Sequence, residues 1–139
     1  MGRNEFDFPK EHGLSTYSAI YVPSTKGVNK KISEGAFSKR ITETQRFMTK
    51  EFGGTTTDRE VGTYTAKSGS VVKERVAKVE NYSSFTDWKK KDTKVRKFVK
   101  DKAKEWGQES ISFEFEAPHR PKKLVFIEPT ARRKMEKVI

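Results

Sequence analysis

The sequence predicts an α+β domain of ferredoxin-like order, β-α-β-β-α-β, with an antiparallel sheet and both helices on one face. Two observations predict it: two stretches carry apolar residues at helical spacing, and strand-like stretches precede, separate and follow them. Residues 1–16 read as an irregular N-terminal arm, 17–117 as the domain and 118–139 as a basic C-terminal extension. The 139 residues suffice for one core, not two.

The arm mixes charges with Phe6, Phe8, Pro9 and Gly13 and has no period. Tyr17 to Val22 is rich in strand formers and ends at Pro23, which predicts the first strand. Ser24-Thr25-Lys26-Gly27 reads as a plain turn. Ser33 is a good N-cap, Ile32 and Phe37 stand at staple positions, and Phe37, Ile41, Met48 and Phe52 share one stripe before Gly53-Gly54 stops the helix. Thr56–Ala66 and Val71–Tyr82, joined by Lys67-Ser68-Gly69-Ser70, read as a hairpin. Ser84 and Asp87 have capping-box spacing, and Phe85, Trp88, Val95, Val99, Ala103 and Trp106 form a second stripe that Gly107 ends. Ile111, Phe113 and Phe115 alternate with Ser112, Glu114 and Glu116, a strand with one buried face. Leu124–Ile127 predicts a further strand, and Thr130 caps a short helix with Ala131, Met135 and Val138 on one side.

Only two Leu are present, and ten Phe, four Tyr and two Trp make up for them, so the core should be small and aromatic. No long apolar run predicts a membrane span or a secretory signal. With no Cys, disulfides and thiol chemistry are excluded, which suits an intracellular site, the host cytoplasm or a virion.

The net charge of +11 is concentrated. Phe85 to Glu105 holds nine Lys or Arg against four acids, and His119 to Ile139 holds seven against two, so each segment carries +5. On the second helix Lys89, Lys90, Lys94, Lys97, Lys100 and Lys104 fall opposite the apolar stripe, a row spaced to meet phosphates. Arg120, Lys122, Lys123, Arg132 and Arg133 extend the basic surface into the tail. A solvated face that only aids solubility is the plainer alternative for the helix. Tyr21 and Tyr64 are the outward aromatics of the strands, but the signature of an RNA-recognition sheet is absent.

Enzyme signatures are missing. His12 and His119 stand far apart with no metal-ligand spacing, and no phosphate loop or nucleophile elbow occurs, so neither metal nor cofactor is expected. Glu114 and Glu116 alternate with buried Phe residues and read as facing solvent or the open side of the sheet.

Three stretches, Tyr21-Val22-Pro23-Ser24-Thr25-Lys26-Gly27, Phe52-Gly53-Gly54-Thr55-Thr56 and Trp106-Gly107-Gln108-Glu109-Ser110, stand around Gly62-Thr63-Tyr64 and a strand from Gly69 to Glu74. Together they resemble small proteins of unknown function that recur in prokaryotic virus and bacterial genomes, over about residues 17–116. The resemblance implies a common structure, and a viral role such as a virion component, a genome-associated protein or an inhibitor of a host defence.

The function expected from these observations is a non-enzymatic binding protein that engages nucleic acid, or another polyanion, through the second helix and the basic tail. A viral structural or accessory module is the alternative, with Phe6, Phe8, Met135, Val138 and Ile139 packing on a neighbour and the charge meeting an acidic protein surface. Exposed sheet edges would permit a homo-oligomer in either case. The third reading is an enzyme using Glu109, Tyr64 or His119.

Overall fold

In a computed structural model, which describes residues 13–27 and 30–129, the predicted order is present. The elements are β1 (Thr16–Pro23), β2 (Thr25–Lys26), β3 (Lys30–Lys31), α1 (Glu34–Phe52), β4 (Thr56–Thr65), β5 (Val71–Ser83), α2 (Phe85–Glu105), β6 (Ile111–Glu116) and β7 (Lys123–Ile127). Five strands make one antiparallel sheet in the order β4-β5-β1-β6-β7, and β2 pairs with β3 beside it. Without β2, β3 and β7 this is the ferredoxin-like arrangement, and β7 is the expected extra strand. The N-terminal arm up to residue 12 and the helix expected from Thr130 lie outside the described residues.

Local chemistry sets the helix ends. Ser33 Oγ accepts from the Ala36 amide and Ser84 Oγ from the Asp87 amide, both at 3.1 Å, which satisfies one orphan donor of each helix. Gly53 takes the left-handed conformation that closes α1.

Both helices lie on one face of the sheet. Phe37, Ile41 and Met48 of α1 meet Trp88, Val95, Val99 and Ala103 of α2 over Ile20, Val22, Ala77, Val79, Ile111, Phe113 and Ile127 of the strands. Aromatic pairs tie the layers: Phe47 stacks on Phe98 at 4.1 Å, and Trp88 touches Phe52, Phe113 and Phe115. Because successive strand residues alternate in direction, Tyr21, Glu74, Val76, Lys78, Ser112 and Glu114 point to the face that no helix covers.

The stretch Ser24–Gly27 differs from the plain turn expected. Thr25 and Lys26 pair with Lys31 and Lys30, and the Gly27 amide donates to the Gly107 carbonyl at 3.0 Å, which binds this segment to the end of α2. The cause lies in residues distant in sequence. Arg40 Nη1 donates to the carbonyls of Pro23 and Thr25, and Gln108 Nε2 donates to that of Thr25, so the segment is fixed by partners that no local pattern shows.

Candidate active site

On the uncovered face, where β1 and β4 end and β5 and β6 begin, lies a cavity of about 550 Å³. That volume is ample for a small organic ligand. Tyr21, Glu60, Gly62, Tyr64, Glu74 and Ser112 line it from the strands, Glu109 and Ser110 from the loop after α2, and Leu124 and Phe126 from β7.

Glu74 is the buried acid of this cavity, 8% exposed. Its Oε2 accepts from Thr25 Oγ1 at 3.0 Å and from the Ser24 amide at 3.3 Å. Its Oε1 makes no hydrogen bond among the described residues. Burial pushes the carboxyl above the usual carboxylate range, while the Thr25 hydroxyl, the Ser24 amide and the charge of Arg40 pull it back. Directly across the ladder stands Gly62, where a Cβ would meet nothing within 4 Å, so the space beside the carboxylate is open.

Tyr64 borders the same space. Burial, then the charges of Glu74 and Glu109, raise its phenol above the ordinary value. Tyr21 is raised by burial and then by the charge of Glu114. Behind Tyr21 a polar network fills the middle of the open face: Lys78 Nζ lies 3.3 Å from both Glu80 Oε2 and Glu114 Oε1, and the Tyr17 hydroxyl donates to Glu80 at 2.5 Å.

Three carboxylates, Glu60, Glu74 and Glu109, and the rings of Tyr21, Tyr64 and Phe126 line the cavity, and among the described residues no Lys or Arg does. In a chain of net charge +11 this lining is locally acidic and aromatic, a surface chemically suited to a cation with flat, apolar parts. No group of three metal-ligating side chains gathers among the described residues.

No family model and no curated protein sequence matches the chain. Two solved structures share its fold. A phage S-adenosylmethionine (SAM) lyase in complex with S-methyl-5'-thioadenosine is 19% identical, with a TM-score of 0.58, covering 86% of this chain and 96% of the other. A phage SAM lyase in the apo state is 17% identical, with a TM-score of 0.58, covering 90% of this chain and all of the other.

These likenesses correct the expectation of a non-enzymatic, nucleic-acid-binding basic protein: the chains that share this fold along nearly their whole length are enzymes. The structure explains how the charge misled. The basic row lies on α2, on the helical side of the sheet, and the cavity opens on the other side.

Lys89, Lys90, Lys94, Lys97, Lys100 and Lys104 are exposed on α2, opposite the apolar stripe as expected. Three of the six have partners. Lys97 pairs with Asp101 and Lys94 with the buried Glu51, each at 2.8 Å, and Lys89 lies over the Phe85 ring. Arg120 also covers Phe85, Lys122 reaches over Tyr17, and Lys123 opens β7. Arg132 and Arg133 lie outside the described residues.

Of the residues weighed for an enzyme, Tyr64 and Glu109 line the cavity and His119 stands apart in a turn. Glu74, the most deeply set of the lining acids, was missed. The available signal was its place at the end of the Gly69–Glu74 stretch, within the motifs that carry the resemblance.

Proposed function

We propose that this protein is a lyase that binds SAM in the open-face cavity and releases S-methyl-5'-thioadenosine, in the cytoplasm of a phage-infected host. The observation that carries the reading is the cavity's charge: among the described residues its lining holds three carboxylates and no basic side chain, in a strongly basic protein. The phage SAM lyases of the same fold support it. SAM carries two cationic groups, a sulfonium and an ammonium, on a frame that ends in a flat purine. Carboxylates suit the ammonium, and the rings of Tyr21, Tyr64 and Phe126 suit the purine and the sulfonium.

Release of the thioether breaks the bond between sulfur and Cγ of the methionyl chain, with the electron pair leaving on sulfur. A lyase adds no water, so the carbon must be satisfied from within the substrate. The substrate's own carboxylate oxygen can attack Cγ and close a five-membered lactone, which cancels both charges and leaves the ammonium unchanged. Such a step asks little of acid or base groups. It needs a folded substrate held in place, which the cavity and its buried Glu74 supply. Glu74 is assigned the ammonium, which fixes the methionyl end.

The test is to incubate the purified protein with SAM and follow S-methyl-5'-thioadenosine by chromatography. Saturable release is expected, and a variant combining Lys90→Gln, Lys100→Gln and Lys104→Gln should release it at the parent's rate. No release together with no binding of SAM would refute the proposal.

A further inference from the structure

We propose that Thr25 is a positioning residue for Glu74, fixing one carboxylate oxygen so that the other is presented to the cavity. The inference rests on the reading above, in which Glu74 receives the cationic end of the ligand. Two donors, the Thr25 hydroxyl and the Ser24 amide, converge on Oε2 alone, at 3.0 and 3.3 Å. A carboxylate held by two hydrogen bonds to one oxygen has lost its freedom to rotate, and its second oxygen has a set direction.

Thr25 is itself buried and tied by its backbone. It is 2% exposed, and its carbonyl takes hydrogen bonds from Gln108 Nε2 at 2.7 Å and Arg40 Nη1 at 2.9 Å. The loop after α2, which lines the cavity through Glu109 and Ser110, is thereby joined to α1 behind the hydroxyl that meets Glu74. Thr25 also acts on charge. Glu74 is penalised by burial, and it faces Tyr64 from β4 and Glu109 from the loop after α2, with Glu60 of β4 and Tyr21 of β1 on the same cavity. Arg40 on α1 favours the ionised form, and so do the two hydrogen bonds. Removing the hydroxyl therefore takes away orientation and charge together.

The experiment compares Thr25→Val, which keeps the shape and removes the donor, with Thr25→Ser, which keeps the donor. The Glu74 carboxyl is followed by carbon NMR in protein labelled at glutamate and assigned with Glu74→Gln, and binding of SAM and of uncharged S-methyl-5'-thioadenosine is measured by calorimetry at pH 6. In Thr25→Val the Glu74 titration should move up by about 0.5–1 pH unit. SAM should bind about tenfold more weakly and the uncharged thioether less than about twofold more weakly. Thr25→Ser should behave as the parent. If Thr25→Val folds poorly, Thr25→Ala is read in the same way. Parent-like titration and binding in the donor-less variants, or equal weakening of both ligands, would overturn the proposal. A parent that does not bind SAM would refute the lyase reading, and the titration would still decide the role of Thr25.

Discussion

The guanidinium of Arg40 lies 5.1 Å over the ring of Trp106, and its Nη1 donates to the Pro23 carbonyl at 2.8 Å and to the Thr25 carbonyl at 2.9 Å. One buried side chain thus holds α1, the end of α2 and the segment behind the cavity. Arg40→Met keeps much of the stem and removes every donor. The Pro23 carbonyl loses its side-chain partner, while Thr25 retains Gln108. Unfolding in urea should show a loss of about 2–4 kcal/mol with an unchanged slope. Hydrogen exchange at the Gly27 amide, which is bonded to Gly107, should quicken. A loss below about 0.5 kcal/mol would mean that Trp106 and Gln108 hold the segment without Arg40.

Glu74 should trade stability for function. Burial is the largest influence on its carboxyl and raises it, so folding makes ionisation of this group harder than it is in the unfolded chain. The stability this group lends is complete below the unfolded carboxyl value, about 4.3, and is lost as pH rises through the higher folded value. Glu74→Gln removes the charge and keeps the shape. It should melt above the parent at pH 7, and the advantage should vanish toward pH 4. Release of S-methyl-5'-thioadenosine from SAM should fall about 100-fold or more. A variant that loses activity and stability together would show Glu74 to be a scaffold residue.

Gly62 leaves open the space that a ligand would occupy. It is the cross-strand partner of Glu74, it lines the cavity, and a Cβ there meets nothing within 4 Å. Gly62→Val adds a strand-forming side chain to that space. Stability should be unchanged or higher by about 0.5–1 kcal/mol, since glycine weakens a strand. SAM affinity should drop about tenfold or more, because the added methyl groups compete with the ligand. Undiminished binding in calorimetry would move the ligand away from Glu74.

The fold was legible because its signals are local and agree. Ser33 and Ser84 cap as their spacing implies, the stripes from Phe37 and Trp88 form the core, and Ile111 to Glu116 alternates as written. The site was not, because its parts are separated in sequence and individually ordinary. Glu74 alternates with neighbours just as a solvent-facing residue would, and only Ser24 and Thr25, some fifty residues earlier, mark it as held. The lysines of α2 attract notice through number alone, and charge density carries no information about which face of the sheet contains a cavity.

Lys78 should govern stability at both ends of the pH range. It sits 3.3 Å from Glu80 and from Glu114, on an open face where its side chain is only 16% exposed. Burial opposes its charge, but hydrogen bonds with Tyr17, Glu114 and Glu80 outweigh that and hold it protonated well past the ordinary lysine range. The Tyr17 phenol is likewise raised, by burial first and then by Glu80. Both groups lend stability that is complete below their unfolded values, about 10, and is lost as pH climbs through the folded ones. Glu114 has the opposite sign. Burial would raise it, Lys78 outweighs that and keeps it low, and its contribution is lost as pH falls below the unfolded carboxyl value. Lys78→Met leaves two carboxylates without their cation and should cost about 2–3 kcal/mol at pH 7. Urea midpoints from pH 2 to pH 11 should also lose much of the parent's fall at either end. Adding Glu114→Gln should recover part of the loss, since one stranded charge is then gone. Equal stability of Lys78→Met and the parent at pH 7 would show that water, and not Lys78, balances these carboxylates.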